Sequence, residues 1–370
     1  MIRIAFIAPS LNGGGAERAA VTVLNALDDA TYRKAFYLFR REGPYLADVS
    51  PSVEVVAAAG DGRVERIRRL AAFVRAWRPQ IVVSFLSYSS VFLALRLARS
   101  SARFVINQQT PVSAFLTDAD YAWRTPARRR LFEAVARLVY PRSRVVATSA
   151  GVGDDLVDRF GVRPEAITTI PNPVDLDALA RAAAEPVDLD GAARTPTIVS
   201  AGRLADAKNW PLFVDALARL KERRAFRAIV LGQGEREADV RRRIADAGLE
   251  STVRLAGFQS NPWKYMARAD VFVLTSHYEG FGNVLVEAMA CGAPVVATTS
   301  PGTRAIVRPA VNGLLVDRHE PDAVADALAR VLGDDAFRER LRAGARESVR
   351  QYAVPAIAGA YDRLFRELAA

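Results

Sequence analysis

The chain has 370 residues, 51% of them apolar and 25% charged, the balance of a globular protein with room for about two domains of roughly 100–200 residues. No apolar run reaches the ~18–20 residues needed to cross a bilayer, and the single cysteine, Cys291, excludes an internal disulfide. The net charge of +10 is concentrated in Arg63–Arg78 and Arg124–Arg144, faces that suit nucleic acid, an anionic membrane surface, an anionic ligand or plain solvent.

The opening MIRIAFIAPSLNGGG has too short an apolar stretch for a signal peptide and no small-residue cleavage site. It reads instead as a first strand, Arg3–Ala8, and the protein as cytoplasmic. Ala20, Val23, Leu24 and Leu27 share one face of a helix over Ala16–Leu27. Strands follow at Lys34–Phe39 and Val53–Ala57, then a helix over Arg63–Trp77. Ile81–Leu86 is apolar throughout, as a strand buried on both faces should be. Phe104–Asn107 and Val145–Thr148 continue the series, and Thr125 before Pro126 reads as a helix cap with proline in the first turn. Two prolines in Ile170–Asp175 mark a boundary. A second alternating series takes strands at Thr197–Ser200, Ala228–Leu231, Val253–Ala256, Val271–Leu274 and Pro294–Thr298, with helices at Trp210–Lys221, Glu235–Ala247 and Val284–Cys291. Near the end Ile357, Tyr361, Leu364, Phe365 and Leu368 form one helical stripe. Alternation of this kind predicts two doubly wound α/β domains in tandem.

Four constellations carry chemistry. Asn12 to Arg18, with Gly13, Gly14 and Gly15, follows the first strand and opens a helix, so backbone N–H groups can approach a phosphate. It lacks both GxGxxG spacing and a Walker lysine. Gly202-Arg203-Leu204, with Lys208 and Asn209 after it, sets two cations five residues apart at a strand end, which suits a diphosphate. Leu231-Gly232-Gln233-Gly234 is again a strand, a glycine turn and a helix. Taken alone, each of these three also admits the reading of an ordinary tight turn or surface loop. The fourth, Glu279-Gly280-Phe281-Gly282-Asn283-Val284-Leu285-Val286-Glu287, sets two carboxylates eight residues apart around a flexible turn, with Asn283 available as a helix cap. Both carboxylates can face a hydroxyl-rich ligand at the carboxyl end of the strands, where open α/β sheets bind ligands.

In this order the four pieces resemble the retaining GT-B glycosyltransferases of family 4 (glycosyl transferases group 1), over nearly the whole chain. Gly14-Gly15-Ala16-Glu17-Arg18 is similar to members that build bacterial surface polysaccharides, including lipopolysaccharide, and lipid-linked oligosaccharides. Gly257-Phe258, Asn261-Pro262, Tyr265-Met266, Ala269-Asp270, the run to Cys291-Gly292, and Asn312 to Val316 complete the pattern. The resemblance implies two Rossmann-like domains facing each other across a cleft: 1–172 on the acceptor side, 173–352 for the nucleotide sugar, and 353–370 a helix crossing back to the first. It implies that Gly14 and Gly15 approach the donor diphosphate and that Arg203 and Lys208 hold it. Gly232 and Phe258 would line the nucleotide pocket and Glu279 contact the transferred sugar. Gly280, Phe281, Gly282, Asn283 and Val284 would present backbone amides, and Glu287 would bind ribose. No cofactor and no metal are implied, because Lys and Arg would stabilise the leaving diphosphate. Two departures stand out. Many members carry a first-domain histidine, whereas the histidines here are His277 and His319, which leaves Gln108 or Gln109 for that contact. Pro301-Gly302-Thr303 also lacks the glutamate often found after the later strand.

The implied activity is retaining transfer of a hexose or N-acetylhexosamine from a UDP- or GDP-sugar to a glycan acceptor, polyprenyl-diphosphate-linked in the expected case. Phe115, Tyr121 and Trp123 could meet such an acceptor, and the basic face could lie on an anionic inner leaflet. A nucleotide-sugar epimerase would need flanking acid/base side chains. An NAD oxidoreductase lacks its GxGxxG, and a non-catalytic nucleic-acid binder would rest on the arginines alone; no nucleic acid is expected.

Overall fold

The computed structural model describes residues 1–12, 14–57, 62–86, 88–117, 125–187, 189 and 195–370, and of Phe115 and Thr117 the backbone alone. The chain divides into two compact units: the described parts of 1–116, 125–173 and 354–370 build the first, and those of 174–353 build the second. No helix among the described residues is long and apolar enough to cross a membrane.

Among the described residues, the first unit carries β1 (Ile2–Ala8), β2 (Tyr32–Leu38), β3 (Val53–Ala57), β4 (Ile81–Phe85), β5 (Arg103–Gln108), β6 (Arg144–Ala147) and β7 (Ile167–Thr169), ordered β3-β2-β1-β4-β5-β6-β7. The second carries β8 (Thr197–Ala201), β9 (Arg227–Leu231), β10 (Val253–Leu255), β11 (Val271–Leu274), β12 (Val295–Thr298) and β13 (Gly313–Val316), ordered β10-β9-β8-β11-β12-β13. Every pairing is parallel, with Phe6 beside Val83 in the first sheet and Ile198 beside Val271 in the second. Both are doubly wound Rossmann-like sheets, with the order reversing between β1 and β4 and between β8 and β11. The three- and four-residue edge strands β7 and β13 were not anticipated from the sequence: neither is long enough to set a periodicity.

Both sheets are buried on two faces because successive side chains along a strand point to opposite sides. Ala5 and Ile7 join one apolar cluster, and Ile4, Phe6 and Ala8 join another. In the second unit Ile198, Val230 and Val273 lie on one side, and Val199, Ile229 and Phe272 on the other. The helix predicted over 235–247 starts only at Glu237. The Arg236 N–H donates to the Leu204 carbonyl at 2.8 Å instead, so the residues before it form a turn rather than a first helical turn.

Part of the first unit's core comes from the far end of the chain. The helix Val354–Ala369 buries Ile357, Tyr361, Leu364 and Phe365 in the cluster that holds Phe6 and Phe36. The Phe365 ring lies 6.2 Å from Phe6, 6.4 Å from Tyr32 and 5.6 Å from Tyr361, and the Asn107 amide donates to the Tyr361 hydroxyl at 2.6 Å. Deleting a fully buried ring costs its transfer free energy plus that of the cavity left behind. Phe365→Ala is therefore expected to remove ~3–5 kcal/mol from the unfolding of the first unit, read as a lower urea midpoint. A loss below ~1 kcal/mol would show that the site collapses to fill the space.

Candidate functional site

At a point where the order of an open parallel sheet reverses, the loops leaving the two adjacent strands part and leave a crevice. In the second unit these loops follow β8 and β11, and they bring two sequence-predicted residues together. Lys208 Nζ lies 2.6 Å from Glu279 Oε1, with the side chains 21% and 13% exposed. Lys208 ends a single 3-10 turn, Asp206–Lys208, after which Asn209 takes a left-handed backbone (φ 48°) and accepts the Leu212 N–H to cap the helix Trp210–Lys221. The segment leaving β11 pins that turn: the Thr275 hydroxyl donates to the Lys208 and Asn209 carbonyls at 3.1 and 3.2 Å, and the His277 N–H to the Ala207 carbonyl at 2.9 Å. Glu279 Oε1 also accepts the buried Ser276 hydroxyl at 2.7 Å. Oε2 has no partner among the described residues and remains an acceptor.

Arg203 lies in the loop that leads from β8 into the same turn. Its guanidinium meets Glu235 at 2.8 Å, with both side chains about half exposed. Such a pair is worth only ~0–1 kcal/mol, so the guanidinium is available to a stronger anion. Gly232 takes φ +138°, and a Cβ there would lie 2.0 Å from the Gly202 carbonyl oxygen. The turns 202–204 and 232–234 are stacked, with Leu204 N–H donating to Gln233 O at 3.0 Å. The contact that requires glycine at 232 is thus another loop of the protein. Phe258, by contrast, is 69% exposed, beside Gly257, whose carbonyl accepts the Gly232 N–H.

The 279–287 segment differs from expectation in two respects. Asn283 is not the helix cap: Gly282 (φ 96°) holds that position without a side-chain bond, and the helix Asn283–Ala290 begins at Asn283 itself. The Gly-Phe-Gly turn is anchored, because Phe281 is buried with its ring 5.2 Å from Tyr352. Gly280 and Gly282 are buried with it, and Val284 is half-buried. Gly302 closes against this loop: its N–H donates to Glu279 O at 3.0 Å, and a Cβ there would lie 2.7 Å from the Phe281 nitrogen. Glu287, one turn into the helix, accepts the Trp263 indole N–H at 3.1 Å. Trp263 and Ser276, which orient the two carboxylates, were missed from the sequence, where no spacing ties residue 263 to 287 and a serine near a glutamate carries no distinct signal. Cys291, half-buried, packs against the core of the second unit, where burial pushes its thiol up to about 12.

In the first unit Gly14 caps the helix Gly15–Ala26 without a side-chain bond, and the Glu17 carboxyl folds back over the first turn. Glu17, in that first turn, is the nearest group to the space a Gly14 side chain would occupy, and burial raises its carboxyl above the usual range while its own N–H opposes the shift. The two glutamines are engaged internally. Gln108 Oε1 accepts the Tyr140 hydroxyl at 2.6 Å, and its Nε2 donates to Thr110 O at 2.5 Å. Gln109 exchanges bonds with Asn172 at 2.7 and 3.2 Å and donates to Asn107. Tyr121 and Trp123 lie outside the described residues, as does the Phe115 side chain.

Comparison with known proteins gives two family matches that together span most of the chain: Glycosyltransferase Family 4 over residues 13–178 and Glycosyl transferases group 1 over residues 187–348. The chain is 31% identical over 251 residues to the N-acetylgalactosamine-N,N'-diacetylbacillosaminyl-diphospho-undecaprenol 4-alpha-N-acetylgalactosaminyltransferase of Campylobacter jejuni, covering 67% of this chain and 66% of the relative. It is 35% identical over 177 residues to the lipopolysaccharide core biosynthesis glycosyltransferase LpsE of Rhizobium meliloti, covering 48% and 51%. The chain thus spans half to two thirds of the length of these relatives. Its fold is similar to the crystal structure of Anabaena HepE in complex with UDP and glucose, with a TM-score of 0.83, 21% identity, and coverage of 99% of this chain and all of that one.

The Glu17 shift has a measurable consequence. A carboxyl whose folded pKa is raised contributes stability that is fully present below its unfolded value, about 4.3, and is lost as pH rises through the folded value. Glu17→Gln cannot ionise. Its stability relative to wild type, from urea midpoints, should therefore increase between pH 4 and pH 7. Parallel pH profiles would show that the buried carboxyl has found a compensating donor.

Proposed function

The chain belongs to the glycosyl transferases of group 1, family 4, and from that membership we propose that it moves a sugar from a nucleoside diphosphate donor to a glycan acceptor. The observation that carries the reading is the Lys208–Glu279 pair at the β8/β11 reversal, with one carboxylate oxygen still open. As the glycosidic bond to phosphate breaks, negative charge gathers on the departing diphosphate and positive charge on the sugar ring. Lys208 and Arg203 supply fixed cations for the first, where they count most as charge develops. Glu279 Oε2 accepts a sugar hydroxyl and holds the ring, while Ser276 and Lys208 keep the carboxylate in place. Glu287, steadied by Trp263, has the same acceptor chemistry for ribose hydroxyls. The donor's own leaving phosphate oxygen can take the acceptor proton on the face it vacates. That route retains anomeric configuration and asks for neither a protein base nor a metal.

The finer reading is a UDP-linked or GDP-linked hexose or N-acetylhexosamine passing to a polyprenyl-diphosphate-linked glycan. Support comes from the Campylobacter relative, named for a diphospho-undecaprenol acceptor, and from HepE, solved with UDP and glucose. The surface of the first unit supports a lipid-linked acceptor. Leu93 and Leu97 on the helix Tyr88–Ala98, and Leu131 and Leu138 on its neighbour Pro126–Val139, are exposed between Arg96, Arg128, Arg129, Arg130 and Arg137. Apolar side chains set among arginines suit the boundary of an anionic leaflet, each basic residue adding ~1 kcal/mol.

A panel of UDP-, GDP-, ADP- and CMP-sugars tests the donor. A ligand that binds only the folded state raises its melting temperature. One nucleotide series should shift the wild type and leave Glu287→Ala unmoved; if no donor shifts the wild type, the transferase reading fails. In sedimentation with phosphatidylglycerol vesicles at low salt, the protein should pellet, and Leu93→Ser with Leu131→Ser should remain largely in the supernatant. Equal pelleting of the two would remove the membrane reading.

A further inference from the structure

The first unit holds a second concentration of charge that the donor site does not use. At the amino-terminal end of its sheet, opposite the loops that follow β1 and β4, lies a cavity of about 510 Å³, within the range of small-molecule sites. Five arginines line it: Arg3, Arg75, Arg78, Arg99 and Arg103. The fold gathers them. Arg3 and Arg103 sit at the starts of β1 and β5, on either side of β4, while Arg78 and Arg99 follow the helices that lead into β4 and β5. Gln80 ties the starts together, its N–H donating to Arg3 O and its carbonyl accepting the Arg103 N–H, both at 2.8 Å.

Two features separate this cluster from an ordinary solvated surface. No Asp or Glu side chain lines the cavity, and none of the five arginines has an ion-pair partner among the described residues. Elsewhere in the same unit Arg69 pairs with Glu65 at 2.7 Å and Arg129 with Glu133 at 3.0 Å. The two side-chain bonds recorded here go to backbone: Arg3 Nε to Arg78 O at 2.8 Å and Arg75 Nη1 to Leu97 O at 3.5 Å. They set the Arg3 and Arg75 guanidinium groups on carbonyls at the carboxyl ends of two helices, and no acidic side chain among the lining residues pairs with any of the five. Arg78 and Arg99, moreover, both adopt left-handed backbone, φ 48° and 50°, a position at a helix end where glycine or asparagine is the usual residue. A side chain is strained there relative to the right-handed region. Favourable contact with the helix C-termini accounts for a cation at those two positions. It also accounts for Arg3, whose Nε meets the Arg78 carbonyl at the end of the helix Arg63–Trp77, but not for Arg103, which sits at a strand start in the same cavity.

We propose that this cavity is an anion site for a phosphate-bearing ligand, a diphosphate or phosphate monoester group, either free in solution or as the headgroup of a phospholipid. Planar guanidinium forks engage two phosphate oxygens at once, and a phosphate dianion is the compact charge that several converging forks can share. The site is formed entirely within the first unit and does not depend on the reading of Lys208 and Glu279.

The test uses the full chain. Pyrophosphate is titrated by calorimetry at low ionic strength into wild type, into Arg99→Asn/Arg103→Gln, into Lys208→Ala, and into Arg40→Gln/Arg163→Gln, which loses the same charge elsewhere in the unit. Asparagine at 99 tolerates the left-handed backbone. Circular dichroism melts confirm that each variant is folded. Because Lys208→Ala removes diphosphate binding at the second unit, the comparison is made in that background: binding that persists there, falls at least ~10-fold on adding Arg99→Asn/Arg103→Gln and is unchanged on adding Arg40→Gln/Arg163→Gln supports the site. Loss only in Lys208→Ala assigns all diphosphate binding to the second unit and overturns it, as does an equal effect of the charge-matched control. A second arm uses vesicles of phosphatidic acid in phosphatidylcholine. Flotation that needs Arg99 and Arg103 and is displaced by pyrophosphate identifies the lipid headgroup as the source. Pyrophosphate binding without arginine-dependent flotation identifies a free phosphate compound, and no arginine-dependent binding in either arm overturns the proposal.

Discussion

Lys208 and Glu279 lie 71 residues apart in the chain and meet because β8 and β11 are hydrogen-bonded neighbours. A right-handed strand–helix–strand connection can place successive strands only outward from the starting strand. When the chain returns to the other side of β8, the two loops diverge and a crevice opens between them. The rest of the second unit's polar structure follows from that reversal. Thr275 and His277 hold the turn that presents Lys208, Ser276 shares the carboxylate oxygen that Lys208 uses, and Gly302 lets the next loop close against Glu279.

The same economy governs the glycines. In this protein the invitation to close approach is met first by the protein's own backbone. Gly232 lies against Gly202, and Gly302 against Phe281. Stacked loops of this kind cost conformational freedom but make the crevice floor stiff. The burial of Phe281 against Tyr352 acts in the same direction. A site in which charge must be stabilised as it develops benefits from groups that do not reorganise at that moment.

In the first unit a comparable network is built from amides. Asn107, Gln109 and Asn172 bond to one another, and Asn107 bonds to the Tyr361 hydroxyl. Buried polar groups are costly unless paired, so this chain of bonds ties the end of β5 and the segment at Asn172 to the helix Val354–Ala369. Gln108 and Gln109 therefore hold the end of a strand in place.

Local order determined much of what could be read without coordinates. Alternation of β-branched strands with amphipathic helices specified two doubly wound sheets, because a period of two and a period of 3.6 leave different marks on a sequence. The position of glycine-rich turns after β1, β8 and β9 was legible for the same reason, and Glu279 and Glu287 stood out by their spacing around a turn. What the tertiary structure alone decided was contact. That Lys208 reaches Glu279, that Trp263 steadies Glu287, that Gly282 rather than Asn283 caps a helix, and that five arginines drawn from three separated segments line one cavity all depend on which strands become neighbours. Strand order is a property of the whole sheet, set by burial on both faces and by the handedness of its connections, and no local stretch of sequence carries it.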